Sequence, residues 1–173
     1  NINRQLIATE STVGMKKTEA SEKRLLEINP RIKLNKYDLF YLPETADKIN
    51  LSEYDYIVDA IDTVSSKLLI ICQAKSLGVP VISSMGTGNK LSPTSLTVED
   101  LAKTSGCPLA RVMRRELKKR GVKKLLCVWS DEPPIPANIV GDDGRPAPAS
   151  ISFTPSAMGL VMAGEIIRAL SGV

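Results

Sequence analysis

The stretch YIVDAIDTVSSKLLIICQAKSLGVPVISSM, residues 56–85, decides the fold. Residues 56–62, YIVDAID, form a short, nearly continuous apolar run ending in Asp62. Such a run suits a strand buried on both faces of a parallel sheet. Residues 63–78, TVSSKLLIICQAKSLG, read as a helix, with Thr63 placed to cap its start and Gly78 to close it in the left-handed region. VPVISSM is the next strand. Strand, helix, strand in that order predicts an α/β fold, a Rossmann-like and mostly parallel sheet with right-handed crossovers and helices on both faces.

Upstream, MKKTEASEKRLLEI (residues 15–28) lacks Pro and Gly and is rich in helix formers, and Asn29-Pro30 stops it. RIKLNKYDL (31–39) alternates Ile32 and Leu34 with basic residues, the pattern of a strand. Downstream, TSLTVED (94–100) and KKLLCVWS (123–130) add strands on either side of a helix, LARVMRRELKKRG (109–121). DEPPIPANIVGDDGRPAPAS (131–150) is dense in Pro, Gly and Asp, a long loop of the kind that often carries function. Thr154-Pro155 opens a last helix, SAMGLVMAGEIIRAL (156–170), apolar nearly all round and therefore expected to be buried.

Composition excludes several chemistries. The 173 residues contain no histidine, so histidine triads and histidine metal sites are ruled out. The three cysteines, Cys72, Cys107 and Cys127, form no C-x-x-C pair, so no structural zinc is expected. An odd cysteine count without a secretory leader fits a reducing cytoplasm. No apolar run reaches the ~20 residues of a membrane span, and Glu165 and Arg168 interrupt the last helix. Aromatic residues are only 4%, so aliphatic side chains must fill the core. The net charge is +4, and its location matters more than its size.

Four features could carry chemistry. Asp62 sits where a strand gives way to a helix, at the carboxyl edge where open α/β sheets bind ligands. A carboxylate there can hold magnesium on a nucleotide, or simply cap the helix. Lys16 and Lys17 stand in a first helical turn, where the macrodipole disfavours cations; an anionic ligand would relieve them, and solvation would too. Arg4 in NINRQ is able to fork onto a phosphate, as any exposed arginine is. GTGN (86–89) follows a strand but leads into Leu91-Ser92-Pro93 rather than a helix, which favours a plain turn over a phosphate loop.

NINRQ, TVGMKK, INP, DYIVDAIDT and GVPVI, in that order and spacing, resemble the superfamily of adenylating enzymes that activates ubiquitin-like proteins and bacterial sulfur carriers. The resemblance implies an ATP site with Asn1, Arg4, Gln5 and Lys17 at the nucleotide and Asp62 orienting magnesium. It also implies that a strand, a glycine-rich loop and a helix precede residue 1. The chain is accordingly expected to be a truncated single domain over residues 1–173, inactive by itself. Residues 1–88 would form the nucleotide half and 89–173 the substrate, tRNA and dimer half.

The second half, VEDLAKTSGCPLARVMRRELKKRGV, CVWSDEPP and SISFTPSAMGLVMAGEIIRAL, resembles the tRNA threonylcarbamoyladenosine dehydratases of that superfamily. This implies ATP-dependent cyclisation of a modified adenosine in tRNA, and a homodimer. The residue pattern agrees with a nucleic-acid partner. Leu109, Val112, Met113 and Leu117 fall on one side of the basic helix, with Arg111, Arg114, Arg115 and Lys118 on the other and Lys119 extending the charge. A solvated amphipathic face would look the same. Two alternatives stay open: activation of a ubiquitin-like or sulfur-carrier protein, and a non-enzymatic dimerisation module. Cys107, ahead of Pro108 and a basic helix, is expected to be structural, although some superfamily members use a thioester cysteine.

Overall fold

The computed structural model describes residues 1–136, 144 and 148–173, which form two compact units, Asn1–Phe40 and Tyr41–Val173. The predicted first helix is present in the amino-terminal unit as α1, Lys17–Ile28. It ends at Asn29, whose N–H still reaches Leu25 O at 2.9 Å and whose Oδ1 accepts from Arg31 N at 3.0 Å. The expected strand over 31–39 does not form: the segment belongs to no ladder among the described residues. Alternation specifies a two-faced surface, but a strand exists only where a neighbour satisfies its backbone groups. Side chains tether this segment to α1 instead, through Lys36–Glu22 at 2.5 Å and through the Lys16–Asp38 pair.

The larger unit is built on four strands: β1 (Ile57–Asp59), β2 (Val81–Ser84), β3 (Leu96–Asp100) and β4 (Leu126–Ser130). Their order is β1-β2-β4-β3, the first three parallel and β3 antiparallel on the edge. The mostly parallel α/β reading of the sequence therefore holds, including the added strands of the second half. Between the strands lie α2 (Val64–Leu77) and α3 (Pro108–Lys119), and α4 (Phe153–Ser171) follows them. Gly78 closes α2 at φ +72°, the left-handed geometry foreseen for it. Thr63 holds the N-cap position, yet its side chain makes no capping bond; only its carbonyl takes the Lys67 N–H, at 3.0 Å.

Register sorts the sheet's faces. Asp59, Ser83 and Cys127 are successive partners across β1, β2 and β4 and share the face toward α2 and α3. Ile82 and Val128 face the other way and pack with Met158 and Met162 of α4, flanked by Leu96, Val98 and Leu126. Each such fully buried aliphatic side chain is worth roughly 1.5–3 kcal/mol. Two burial expectations fail. Val58 in β1 is 47% exposed, so this strand is not buried on both faces. On α4 only Thr154, Met158 and Met162 are buried, while Leu160, Ile167 and Leu170 are 75, 66 and 57% exposed. A helix apolar all round needs cover on every side, and the sheet supplies it on one.

Candidate nucleotide and nucleic-acid sites

In the amino-terminal unit, Asn1 O accepts from the backbone N–H groups of Arg4 and Gln5 at 3.1 and 2.9 Å, winding NINRQ into a turn. The Arg4 guanidinium then bonds Asn3 Oδ1 at 2.9 Å and Asn1 Oδ1 at 3.0 Å. Asn1, Gln5 and Lys17 line one pocket of about 300 Å³, with Thr9 and Thr12 beside them and no acidic residue in its wall. Gln5 Oε1 and Thr18 Oγ1 are buried without a hydrogen-bond partner. An orphaned buried polar atom costs about 1–3 kcal/mol, so a ligand in the pocket able to pair with Gln5 Oε1 would be favoured. Lys17 is the first residue of α1, and its ammonium has no acidic partner among the described residues. Lys16, in contrast, is spent on Asp38, whose bond and charge raise the lysine's pKa. Of the two lysines in TVGMKK, it is thus Lys17 that stays available.

In the larger unit, β1 ends at Asp59, and Asp62 lies three residues beyond it on an exposed bend leading into α2. The acid at the strand's end is Asp59, which the sequence pattern alone does not single out. Asp59 and Lys67 are both 0% exposed and form an ion pair at 2.9 Å. Ser83 Oγ donates to the same Asp59 oxygen at 2.5 Å, and Lys67 Nζ also donates to Ser84 O at 2.9 Å. A signal existed: a lysine directly ahead of the apolar run LLII in α2, and an acid inside an apolar strand.

The GTGN segment is a turn with a structural task. Asn89, at φ +59°, exchanges backbone bonds with Ala149 O (2.8 Å) and Ile135 N (2.7 Å), and its Oδ1 accepts from Ala149 N at 2.7 Å. Gly88 is required beside it, since a Cβ there would come within 2.8 Å of Pro148 Cβ. The Asn89 N–H is thereby committed to protein. The turn thus joins the two ends of the Pro-rich segment, whose residues 137–143 and 145–147 lie outside the described residues.

On α3 the apolar side is as read from sequence: Ala110, Met113 and Leu117 are buried, and Leu109 and Val112 half-buried. The cationic side differs. Arg114 turns inward and donates to Thr104 O at 2.7 Å and to Thr104 Oγ1. Glu116 gathers Arg115 (3.0 Å), Lys119 (2.9 Å) and Arg120 (3.1 Å), and these three cations hold its carboxyl down at about 2. Arg111 and Lys118 remain exposed. Cys107 is buried at the start of α3, and burial pushes the Cys127 thiol up to about 12, so Cys127 presents no reactive thiolate.

The ThiF family matches residues 1–173, the whole chain. The chain belongs to that family. Among relatives of this ThiF-family protein, a tRNA threonylcarbamoyladenosine dehydratase of Bacillus subtilis is 36% identical over 98% of this chain and 72% of the relative. The Escherichia coli tRNA N6-threonylcarbamoyladenosine dehydratase, solved in complex with AMP, superposes with a TM-score of 0.88 at 29% identity, covering 99% of this chain and 71% of that one. The same E. coli enzyme has been solved with ATP, where the TM-score is 0.75 and the identity 28%, over 97% of this chain and 72% of the other. An adenylyltransferase and sulfurtransferase of Candida glabrata is 33% identical over 62% of the ThiF-family chain and 24% of its own length. The chain thus spans about seven tenths of the B. subtilis dehydratase and of the solved E. coli chains, and a quarter of the sulfurtransferase.

Proposed function

We propose that this protein is an ATP-dependent dehydratase that cyclises threonylcarbamoyladenosine in tRNA by adenylating its carboxylate. The observation that carries the reading is the acid-free pocket bringing Asn1, Gln5 and Lys17 together, with Arg4 bonded to Asn1. The similarity of the whole chain to dehydratases solved with ATP and AMP supports it. The substrate carboxylate attacks the α-phosphorus of ATP and pyrophosphate leaves. A substrate nitrogen then attacks the acyl carbon and gives up its proton, and AMP departs. Phosphoryl and acyl transfers of this kind depend on positioning and charge stabilisation. Lys17 and Arg4 supply the positive charge, and Asn1 and Gln5 supply hydrogen bonds. No step needs a histidine.

Magnesium fits the acid that is present. No cluster of three His, Cys, Asp or Glu residues exists among the described residues, but magnesium on a nucleotide is usually held by one or two carboxylates together with phosphates and water. Asp62, exposed beyond β1, is such a carboxylate, whereas Asp59 is spent on Lys67. Bound magnesium would neutralise phosphate charge there. The deciding experiment incubates the full-length protein with ATP, magnesium and tRNA bearing threonylcarbamoyladenosine. The nucleoside should lose the mass of one water, with one pyrophosphate released per turnover. Pyrophosphate exchange that depends instead on a protein with a Gly-Gly terminus, with tRNA unchanged, would transfer the assignment to carrier-protein activation.

The partner surfaces follow. Arg111, Arg115, Lys118 and Lys119 are the residues of α3 offered to tRNA, with Arg114 holding the helix in place. Substrate tRNA sets the location as the cytoplasm, and among the described residues no helix is long and apolar enough to cross a membrane. The exposed Leu160, Ile167 and Leu170 of α4 are the proposed homodimer surface, since an apolar stripe of this kind marks an association site. Leu160→Glu with Ile167→Glu should convert the full-length protein from dimer to monomer in sedimentation velocity. An unchanged sedimentation coefficient would remove α4 from the interface.

A further inference from the structure

We propose that the buried Asp59–Lys67 pair is a positioning device for Asp62, setting how tightly that carboxylate holds magnesium while adding little to fold stability. The inference rests on Asp62 being the carboxylate that faces magnesium–ATP. Both partners are wholly buried, and the knot joins the last residue of β1 to the last two of β2. Asp59 Oδ2 takes Lys67 Nζ at 2.9 Å and Ser83 Oγ at 2.5 Å. Asp59 Oδ1 accepts from the backbone N–H of Ile61 at 3.2 Å, shaping the chain one residue before Asp62. Ser84 Oγ donates to Asp59 O at 3.3 Å, and Lys67 Nζ to Ser84 O at 2.9 Å. On the far side of Asp62, Lys67 N donates to Thr63 O. The bend that carries Asp62 is therefore held on its strand side by the Asp59 carboxylate, which Lys67 and Ser83 fix in turn, and on its helix side by the backbone bond that opens α2.

Stability is a poor explanation for this arrangement. Burying two charges costs several kcal/mol per ion, and an apolar pair of similar volume is often neutral or more stable. Lys67 also places a cation in the first turn of α2, where the helix dipole opposes it. What the knot supplies is a fixed direction for the backbone between β1 and α2. Residues that orient a metal-facing carboxylate characteristically alter metal affinity by about 10–100-fold when removed.

The test uses the full-length protein and reads ATP–pyrophosphate exchange against magnesium concentration, with thermal unfolding measured alongside. Asp59→Leu with Lys67→Met should melt close to wild type and raise the magnesium midpoint about 10–100-fold. The same substitutions added to Asp62→Asn should shift the midpoint no further, because the knot acts only through Asp62. A folded Leu/Met variant with a wild-type midpoint, or full additivity with Asp62→Asn, overturns the proposal. If Asp62→Asn alone leaves the midpoint unmoved, the reading of Asp62 itself falls and takes this inference with it. Should the Leu/Met variant fail to fold, Ser83→Ala strips one hydrogen bond from the same carboxylate and leaves the ion pair in place. It should move the midpoint in the same direction by less, and an unchanged midpoint there also overturns the proposal.

Discussion

Lys17→Ala and Asp62→Ala will each lower ATP–pyrophosphate exchange by the full-length protein about 10²–10³-fold, the usual loss when one charge-stabilising group is removed from a transfer site. Cys107→Ala will leave the exchange rate at the wild-type value. The two losses should differ in kind. Lys17 is a fixed cation at the first residue of α1, lining the pocket that also holds Asn1 and Gln5, so nothing in solution replaces it. Asp62 is argued to act through magnesium, so raising magnesium should recover part of the Asp62→Ala rate and none of the Lys17→Ala rate. Cys107 is buried at the N-cap of α3, and its sulfur would lie 3.9 Å from a Cβ placed on Gly86, which makes it a packing residue. Its loss should appear as a lower melting temperature. An active Lys17→Ala enzyme, or an inactive and folded Cys107→Ala enzyme, would reverse these roles.

The parallel core was legible because local sequence and global fold demand the same thing there. YIVD, a helix closed by Gly78, and VISS each carry their own period and their own stop signal, and no distant residue is needed to interpret them. Where a distant residue decides, sequence fell short. The segment 31–39 has strand alternation, yet a ladder needs a partner that local pattern does not reveal. The helix over 153–171 has the hydropathy of a core element, yet the sheet covers one side of it, burying Met158 and Met162 with Val161 and Ile166 partly covered beside them. For the same reason the Asp59–Lys67–Ser83 knot stayed hidden. Its members are 8, 16 and 24 residues apart in sequence and meet only once β1, β2 and α2 are assembled. Of the candidate site, the residue types and their order in NINRQ and TVGMKK were readable. That Lys16 and not Lys17 is consumed by Asp38 was not, since that pairing spans 22 residues.

The basic helix yields the second large effect, and its side-chain geometry refines which charges should matter. Had α3 presented one free cationic face, Arg111, Arg114, Arg115 and Lys118 would be equivalent. Arg114 is instead bonded to Thr104, so Arg114→Gln should act on folding, at about 1.5–3 kcal/mol for the loss of hydrogen bonds from a charged donor, and little on the salt dependence of tRNA binding. Arg111 and Lys118 are exposed, and Arg115 and Lys119 share Glu116 with Arg120. Changing Arg111, Arg115, Lys118 and Lys119 together to Gln keeps helix propensity nearly constant. Every phosphate that goes unneutralised takes about 0.7–0.9 off the slope of log affinity against log salt, so the slope should flatten by about 3 units and affinity near 0.1 M salt should fall on the order of 10³-fold. Pyrophosphate exchange should stay at wild type, because the substitutions leave the amino-terminal pocket untouched. Glu116→Gln supplies the opposite sign. The carboxyl is held at about 2 by its three cations, so it remains negative at any pH at which tRNA binding is measured, and it cancels one of their charges throughout. Removing it should steepen the salt slope and tighten binding while every cation stays in place. A folded quadruple variant that keeps wild-type affinity and slope, with Glu116→Gln equally silent, would make α3 a solvated face and place tRNA recognition elsewhere on the protein.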